Sequence, residues 1–204
     1  MKHIALDLVL LPKASCIESI VAYNSKLPDT VLKLGKNKTV PHLSLTMCRV
    51  EANRYDDLVG KLQDYLEVLD LSELLSLNVT SIYQHNINTI GWNLALSTPL
   101  KHLHYSLSTL MKSYHNDNSA KEENKDFTVI HPHMPFSGVD YLNVFFEEYA
   151  FDNYQPHITL GQGDAQVCEE WLMKNIEFDR IALFHMGTGC TCEKLLWETK
   201  ISNN

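Results

Sequence analysis

The hydrophobic and polar positions of the chain change period in an order that occurs twice. Ile4 to Leu11 reads as a strand that meets Pro12, and Ala14 to Leu27 then takes up helical periodicity and is closed by Pro28. The second half repeats this with Ile90 to Ser97 as strand, Thr98-Pro99 as helix start and Leu100 to Tyr114 as helix. Proline suits the first turn of a helix, where its missing amide hydrogen would have had no partner. Each half next reaches a short apolar run with polar interruptions, Pro41-His42-Leu43-Ser44-Leu45 and Pro156-His157-Ile158-Thr159-Leu160. Each run leads into a helix, Tyr55 to Leu69 or Ala165 to Asn175. Strand pairs follow: Ser76 to Gln84 with Thr89 to Ser97, and Phe178 to His185 with Lys194 to Ile201. Trp92 and Trp197 fall at matching places in those pairs.

Strand, helix, strand, helix, strand, strand, written twice, predicts an α+β fold. The expected architecture is a duplicated, bilobal one with two mainly antiparallel sheets, helices on the outer faces and a central groove on a pseudo-twofold axis. Residues 1–204 would form a single two-lobed domain, roughly one half-chain to each lobe with strands exchanged between them.

Composition narrows the function classes. The formal charge is -8 at pH 7, which argues against a long polynucleotide groove, because attraction to many phosphates is the main source of non-specific affinity. A small phosphate-bearing ligand remains compatible. No stretch approaches the ~20 apolar residues of a membrane helix, and Met1 to Pro12 carries Asp7 without a small-residue cleavage site. A cytoplasmic protein is expected, with no stable protein partner implied and a monomer as the starting assumption. The five cysteines, Cys16, Cys48, Cys168, Cys190 and Cys192, are odd in number and scattered, which suits reduced thiols.

Candidate chemistry lies in the two matching segments. Successive side chains of a strand point to opposite faces, so His42 and Ser44 share one face while Leu43 and Leu45 share the other, and His157 and Thr159 do the same. If both polar faces meet across a groove, two imidazoles and two hydroxyls converge. Cleaving a phosphodiester needs one group to take a proton from the attacking oxygen and one to give a proton to the departing oxygen, and histidine does both near neutrality. Hydroxyls can hold the non-bridging oxygens as charge builds on them. His42 and His157 are therefore the candidate acid and base, in either order, with Ser44 and Thr159 as phosphate-binding residues; no metal or cofactor is required. Either segment alone would read as a structural histidine on a strand. Repetition of the hydroxyl with the imidazole favours catalysis.

The paired His-x-Ser and His-x-Thr strands within an internal repeat resemble the two-histidine phosphoesterase superfamily, which includes RNA 2',3'-cyclic phosphodiesterases, the 2'-5' RNA ligase-like proteins. Tyr154-Gln155-Pro156-His157-Ile158-Thr159-Leu160-Gly161 is especially typical of that group, while Ser44 in place of threonine is a mild departure that keeps the hydroxyl. The resemblance runs from Ile4 to Ile201. It implies a metal-independent phosphoesterase acting on a nucleotide or short RNA end, with 2',3'-cyclic phosphate as the first substrate class; similar families also process 2'-5' oligoadenylates, ADP-ribose cyclic phosphate, cyclic dinucleotides and RNA tails. The rival is a non-catalytic nucleotide or RNA-end binding module on the same fold, which would have no need of both proton-transfer groups. A His/Cys metal protein ranks last.

Other residues carry weaker signals. His131 and His133, in a proline-broken stretch, suit a surface loop. His102 and His104 cannot share a helical face, and Cys190 with Cys192 lacks a second cysteine pair at zinc spacing. His185 ends a strand where it can reach substrate. Lys33, Lys36 and Lys38 form an isolated basic patch before the first motif, ordinarily a solvated loop and alternatively a rim that attracts phosphates. Asn116 to Lys125 lacks periodicity and reads as a mobile loop. Gly138 to Tyr149 spaces Tyr141, Phe145, Phe146 and Tyr149 for a helix with one face on the core, and an exposed ring there could stack a nucleobase.

Overall fold

A computed structural model describes residues 3–85, 89–116, 139–164 and 170–201. The first strand is β1 (His3–Pro12), followed by α1 (Ala14–Lys26), β2 (Leu43–Glu51) and α2 (Tyr55–Glu67). Next come β3 (Ser76–Gln84), β4 (Thr89–Leu94), α3 (Thr98–Lys112), α4 (Val139–Val144), β5 (His157–Gln162), β6 (Asn175–Gly187) and β7 (Thr191–Lys200). The start of α3 is set locally: the Ser97 hydroxyl accepts from the Leu100 amide and Pro99 occupies the first turn, as capping chemistry predicts.

The fold is α+β with every strand pair antiparallel. The strands run in the order β1-β2-β5-β4-β3-β6-β7, with β6 also hydrogen-bonded to β1. Pairing is extensive within β2-β1-β6-β7 and within β5-β4-β3, and between β2 and β5 it consists of the single pair Leu43 with Ile158. Those two residues are equivalents in the two matching segments, so the pair sits on the pseudo-twofold axis.

The duplication extends to an irregularity. Between β1 and β2 the register slips from Leu8 opposite Thr46 to Val9 opposite Ser44. Between β4 and β5 it slips in the same way, from Ile90 opposite Gly161 to Gly91 opposite Thr159. Each motif strand thus carries one extra residue just after its hydroxyl residue, where a bulge re-aims side chains.

Three sequence expectations change. Glu170 and Trp171 are in 3-10 conformation, residues 172–174 are not helical and β6 begins at Asn175, so the helix expected over Ala165 to Asn175 does not reach its predicted end; residues 165–169 lie outside the described residues. In the register around the motifs Trp92 corresponds to Leu10 of β1, because each stands opposite the central apolar residue, Ile158 or Leu43. Trp197 instead opposes Leu183 in the last hairpin, so the two tryptophans are not equivalents. Third, β4 ends at Leu94 and leaves Ala95 to Ser97 as a connection.

Candidate active site

Extending the Leu43 and Ile158 pairing by one residue each way sets His42 across from Thr159 and Ser44 across from His157, all on the face opposite the buried Leu43 and Ile158. The imidazoles are near enough for charge on His157 to act on His42.

The two rings are held alike. His42 Nδ1 lies 2.7 Å from the Val40 carbonyl, and His157 Nδ1 lies 2.8 Å from the Gln155 carbonyl, two residues back in each case. A carbonyl can only accept, so each Nδ1 carries the hydrogen and each neutral ring presents a bare Nε2. Val40 is itself fixed, its N–H donating to the Cys192 carbonyl at 2.8 Å.

The hydroxyls have different supports. The Ser44 hydroxyl donates to Asp7 Oδ2 at 2.9 Å, and Asp7 is fully buried on β1. The same oxygen lies 3.7 Å from His42 Nε2 and 3.6 Å from Cys192 Sγ, which donates to it. Thr159 Oγ1 pairs with the Tyr83 hydroxyl at 2.9 Å, and the Tyr83 ring meets the His157 ring edge-on with centroids 5.1 Å apart. The Tyr83 ring rests over Gly91, where an added Cβ would lie 2.3 Å from the Ile158 carbonyl oxygen and 2.4 Å from the ring. Gly91→Ala must therefore displace both the axial strand and Tyr83, and should cost about 1–3 kcal/mol, the usual range for overpacking. Urea denaturation checks this.

The motif strands are anchored from behind by buried polar side chains on helices. His104 on α3 donates from Nδ1 to the Leu45 carbonyl at 2.6 Å, and its Nε2 accepts from the Phe151 amide at 2.7 Å. Tyr154 stacks on that imidazole at 3.8 Å and donates its hydroxyl to the Ser44 carbonyl at 2.8 Å. In the other lobe Asn24 on α1 donates to the Leu160 carbonyl at 2.8 Å. Leu45 and Leu160 are the equivalent closing residues of the two motifs.

Burial pulls the His42 imidazole down to about 4, against the Val40 carbonyl and with help from His157. Burial also lowers His157 and His104, each opposed by its backbone carbonyl. Asp7 moves the other way: burial raises its carboxyl to about 8 although the hydrogen bonds from Ser44 and Cys192 lower it. Burial raises the Tyr83 phenol to about 12, against its bond to Thr159.

These shifts set a pH dependence of stability. Below the ordinary histidine value of about 6.5 the unfolded chain takes up protons that the three folded histidines refuse, so stability falls as pH falls from there toward their folded values. Asp7 acts oppositely, since the folded state retains its proton and that contribution is lost as pH rises toward 8. Three groups oppose one on the acid side, and the melting temperature should peak near neutrality and fall by pH 5. His104→Gln should flatten the acid fall, as melting curves from pH 5 to 8 would register.

Other sequence candidates separate clearly. His185 is buried and stands opposite Leu6, whereas Phe184 stands opposite Asp7; it therefore faces away from Asp7, and the expectation that it reaches substrate is overturned. His104 is structural, as above. Lys33, Lys36 and Lys38 are exposed around a turn closed by Gly35 and Thr39. Phe145 and Phe146 are buried as expected, while Tyr149 is 40% exposed and stacks on Tyr141. His131, His133 and residues 117–125 of the polar segment lie outside the described residues. Spacing gave no sign of Asp7, Tyr83 or Cys192; a lone acid in the apolar run Ile4 to Leu11 was the available signal for the first. No helix among the described residues is long and apolar enough to cross a membrane.

No family model and no curated protein sequence matches the chain. Solved structures do. E. coli LigT complexed with NADP+ aligns over 100% of both chains with a TM-score of 0.52 at 15% identity, and LigT complexed with 3'-AMP does so at 0.51 and 14%. A crystal structure of a phosphoesterase aligns over 98% of this chain and 99% of its own with a TM-score of 0.50 at 14% identity. At such identities the likeness establishes the fold, a LigT-like one in agreement with the duplicated bilobal architecture.

Proposed function

We propose that the chain is a phosphodiesterase that opens 2',3'-cyclic phosphates of a nucleotide or RNA end with His42 and His157 as general base and general acid. The observation that carries this reading is the matched pair of imidazoles, each with Nδ1–H tied to a carbonyl two residues back and Nε2 left for proton transfer. His42, with its proton affinity more strongly depressed by burial and by His157, is the base. Its Nε2 takes a proton from the attacking water as oxygen bonds to phosphorus. The P–O bond to the 2' or 3' oxygen breaks, and protonated His157 supplies that oxygen's hydrogen. One phosphomonoester and one ribose hydroxyl result, and the proton left on His42 returns the pair to its starting state through solvent.

Ser44 and Thr159 hold the non-bridging oxygens, each backed by a neighbouring O–H group, Asp7 for the first and Tyr83 for the second. The Ser44 hydroxyl donates to Asp7 Oδ2; because Asp7 retains its proton, the two can exchange donor and acceptor roles when phosphate binds, which turns the serine hydrogen toward the phosphate. Tyr83 does the same for Thr159. Water, two imidazoles and two hydroxyls complete the proton and charge balance without a cation. The nucleotide complexes of LigT support a nucleotide as the substrate class, and the acidic chain favours a small one.

The test is release of phosphomonoester from 2',3'-cyclic nucleotides and from a short RNA ending in cyclic phosphate, with chelator present. Turnover is expected; an inert protein on both substrates would overturn the substrate assignment. Tyr83→Phe should lower kcat/KM about 3- to 10-fold, the worth of one hydrogen bond of about 1 kcal/mol, with little change in melting temperature.

A further inference from the structure

Next to the proton-transfer pair, side chains from three segments of the chain converge on one point, and the mechanism has no use for the thiol among them. Asp7, His42 and Cys192 present Oδ2, Nε2 and Sγ within 4.8 Å of one another. The thiol is fully buried and comes from the last hairpin, 185 residues along the chain from Asp7. A second observation is the other oxygen of the same carboxyl: Asp7 Oδ1 is buried and has no hydrogen-bond partner. Such an atom is costly unless something completes its environment.

The two separations made by the carboxylate oxygen suit a particular kind of occupant. Ligand atoms bound tetrahedrally to zinc at their usual bond lengths lie roughly 3.4 to 3.6 Å apart. The oxygen sits 3.6 Å from the sulfur and 3.7 Å from the imidazole nitrogen. Sulfur, imidazole and carboxylate together select a borderline cation such as Zn2+ over Mg2+ or Ca2+, which prefer all-oxygen shells. His42 also has the arrangement of a metal-binding histidine, its Nδ1–H fixed on a backbone carbonyl and its Nε2 3.7 Å from the Asp7 carboxyl. The His42 side chain is 13% exposed, which leaves the site an approach from the groove side.

We propose that Asp7, His42 and Cys192 form a Zn2+ site that inhibits the enzyme, because the ion occupies the Nε2 lone pair that His42 uses as base. Zn2+ replaces both the Cys192 thiol proton and the proton that Asp7 retains, so Zn–S and Zn–O bonds form as the S–H and O–H bonds are lost, two protons pass to solvent, and no oxidation or reduction is involved. The fourth coordination position is left for water or a phosphate oxygen. The bound carboxylate also ceases to support Ser44 as a donor. Only the inhibitory consequence rests on the paired-histidine reading; the binding site does not.

Binding is tested without turnover, by titrating the whole chain with Co2+ as a spectroscopic substitute for Zn2+ and then displacing it with Zn2+. One equivalent should bind with a thiolate-to-cobalt charge-transfer band. Cys192→Ser and Cys192→Ala should lose that band and bind Zn2+ at least tenfold more weakly, whereas Cys190→Ser should keep both. An unchanged band in both Cys192 variants, each shown folded by circular dichroism, would overturn the site. Turnover of cyclic nucleotide by the wild type should fall in micromolar Zn2+, recover with chelator and be unmoved by Mg2+, while the rate of Cys192→Ser, taken relative to its own zinc-free value, should resist Zn2+. Cys192-dependent binding with uninhibited turnover would overturn the inhibitory role. If the band appears and the protein cleaves no phosphodiester, the site stands and the enzymatic reading fails.

Discussion

Alanine at His42 or at His157 should each lower kcat/KM for 2',3'-cyclic nucleotide at least ~100-fold, the scale of one lost general acid or base. The expectation rests on the shared tautomer: each ring donates Nδ1–H to a carbonyl two residues back and keeps Nε2 for the substrate. The wild-type profile of kcat/KM against pH should be a bell, rising as His42 loses its proton and falling as His157 loses its own. Burial lowers both groups, so the optimum should lie on the acid side of neutrality. The residual activity of His42→Ala should lack the acid limb and that of His157→Ala the alkaline limb. Loss of the opposite limbs would exchange the two roles, and variants that retain the wild-type rate would place the chemistry elsewhere. Both side chains are partly buried, so melting curves accompany the rates and show that each variant is folded.

His104→Ala should be the most damaging change away from the groove, costing about 3 kcal/mol of folding stability. Two buried groups would lose their partners, the Leu45 carbonyl and the Phe151 amide, and each unsatisfied group typically costs about 1–3 kcal/mol. The stack with Tyr154 goes as well. Because Tyr154 holds the Ser44 carbonyl, the strand carrying Ser44 loosens at the residue that should meet phosphate, and activity should fall even at temperatures where the variant is folded. Asn24→Ala removes the corresponding tie to Leu160 and should act similarly with a smaller loss, since no aromatic stack depends on it. Urea denaturation of both proteins is the check; a His104→Ala change below about 0.5 kcal/mol, the level of ordinary surface substitutions, would contradict the anchoring argument.

What the sequence made legible was local. Alternation within five residues is enough to put His42 with Ser44 and His157 with Thr159 on one face, and repetition of that unit is enough to suggest an axis between them. The pair of Leu43 with Ile158 lies on that axis. The supports were not legible because each reaches its motif from a distant part of the chain through strand or helix packing. Asp7 arrives by pairing of β1 with β2 across a bulge, Cys192 by the last hairpin, and Tyr83 because Gly91 leaves space for its ring. His104 looked like an unremarkable helical histidine until α3 packed on β2. The matching of Trp92 with Trp197 misled for a related reason: similar spacing within hairpins does not fix which strand lies beside which, and Leu10 takes the place equivalent to Trp92. His185 misled through parity, since a shift of one position along a strand turns a side chain to the other face.

The most direct test of the two-histidine account is the rate of cyclic phosphate opening in chelator for wild type, His42→Ala, His157→Ala and the double variant. Groups that act as one proton-transfer unit are strongly non-additive when removed. The account predicts rapid opening by the wild type and a common low rate for all three variants. A double variant slower than either single by the product of their separate losses would contradict a paired mechanism, as would any single variant that turns over at the wild-type rate.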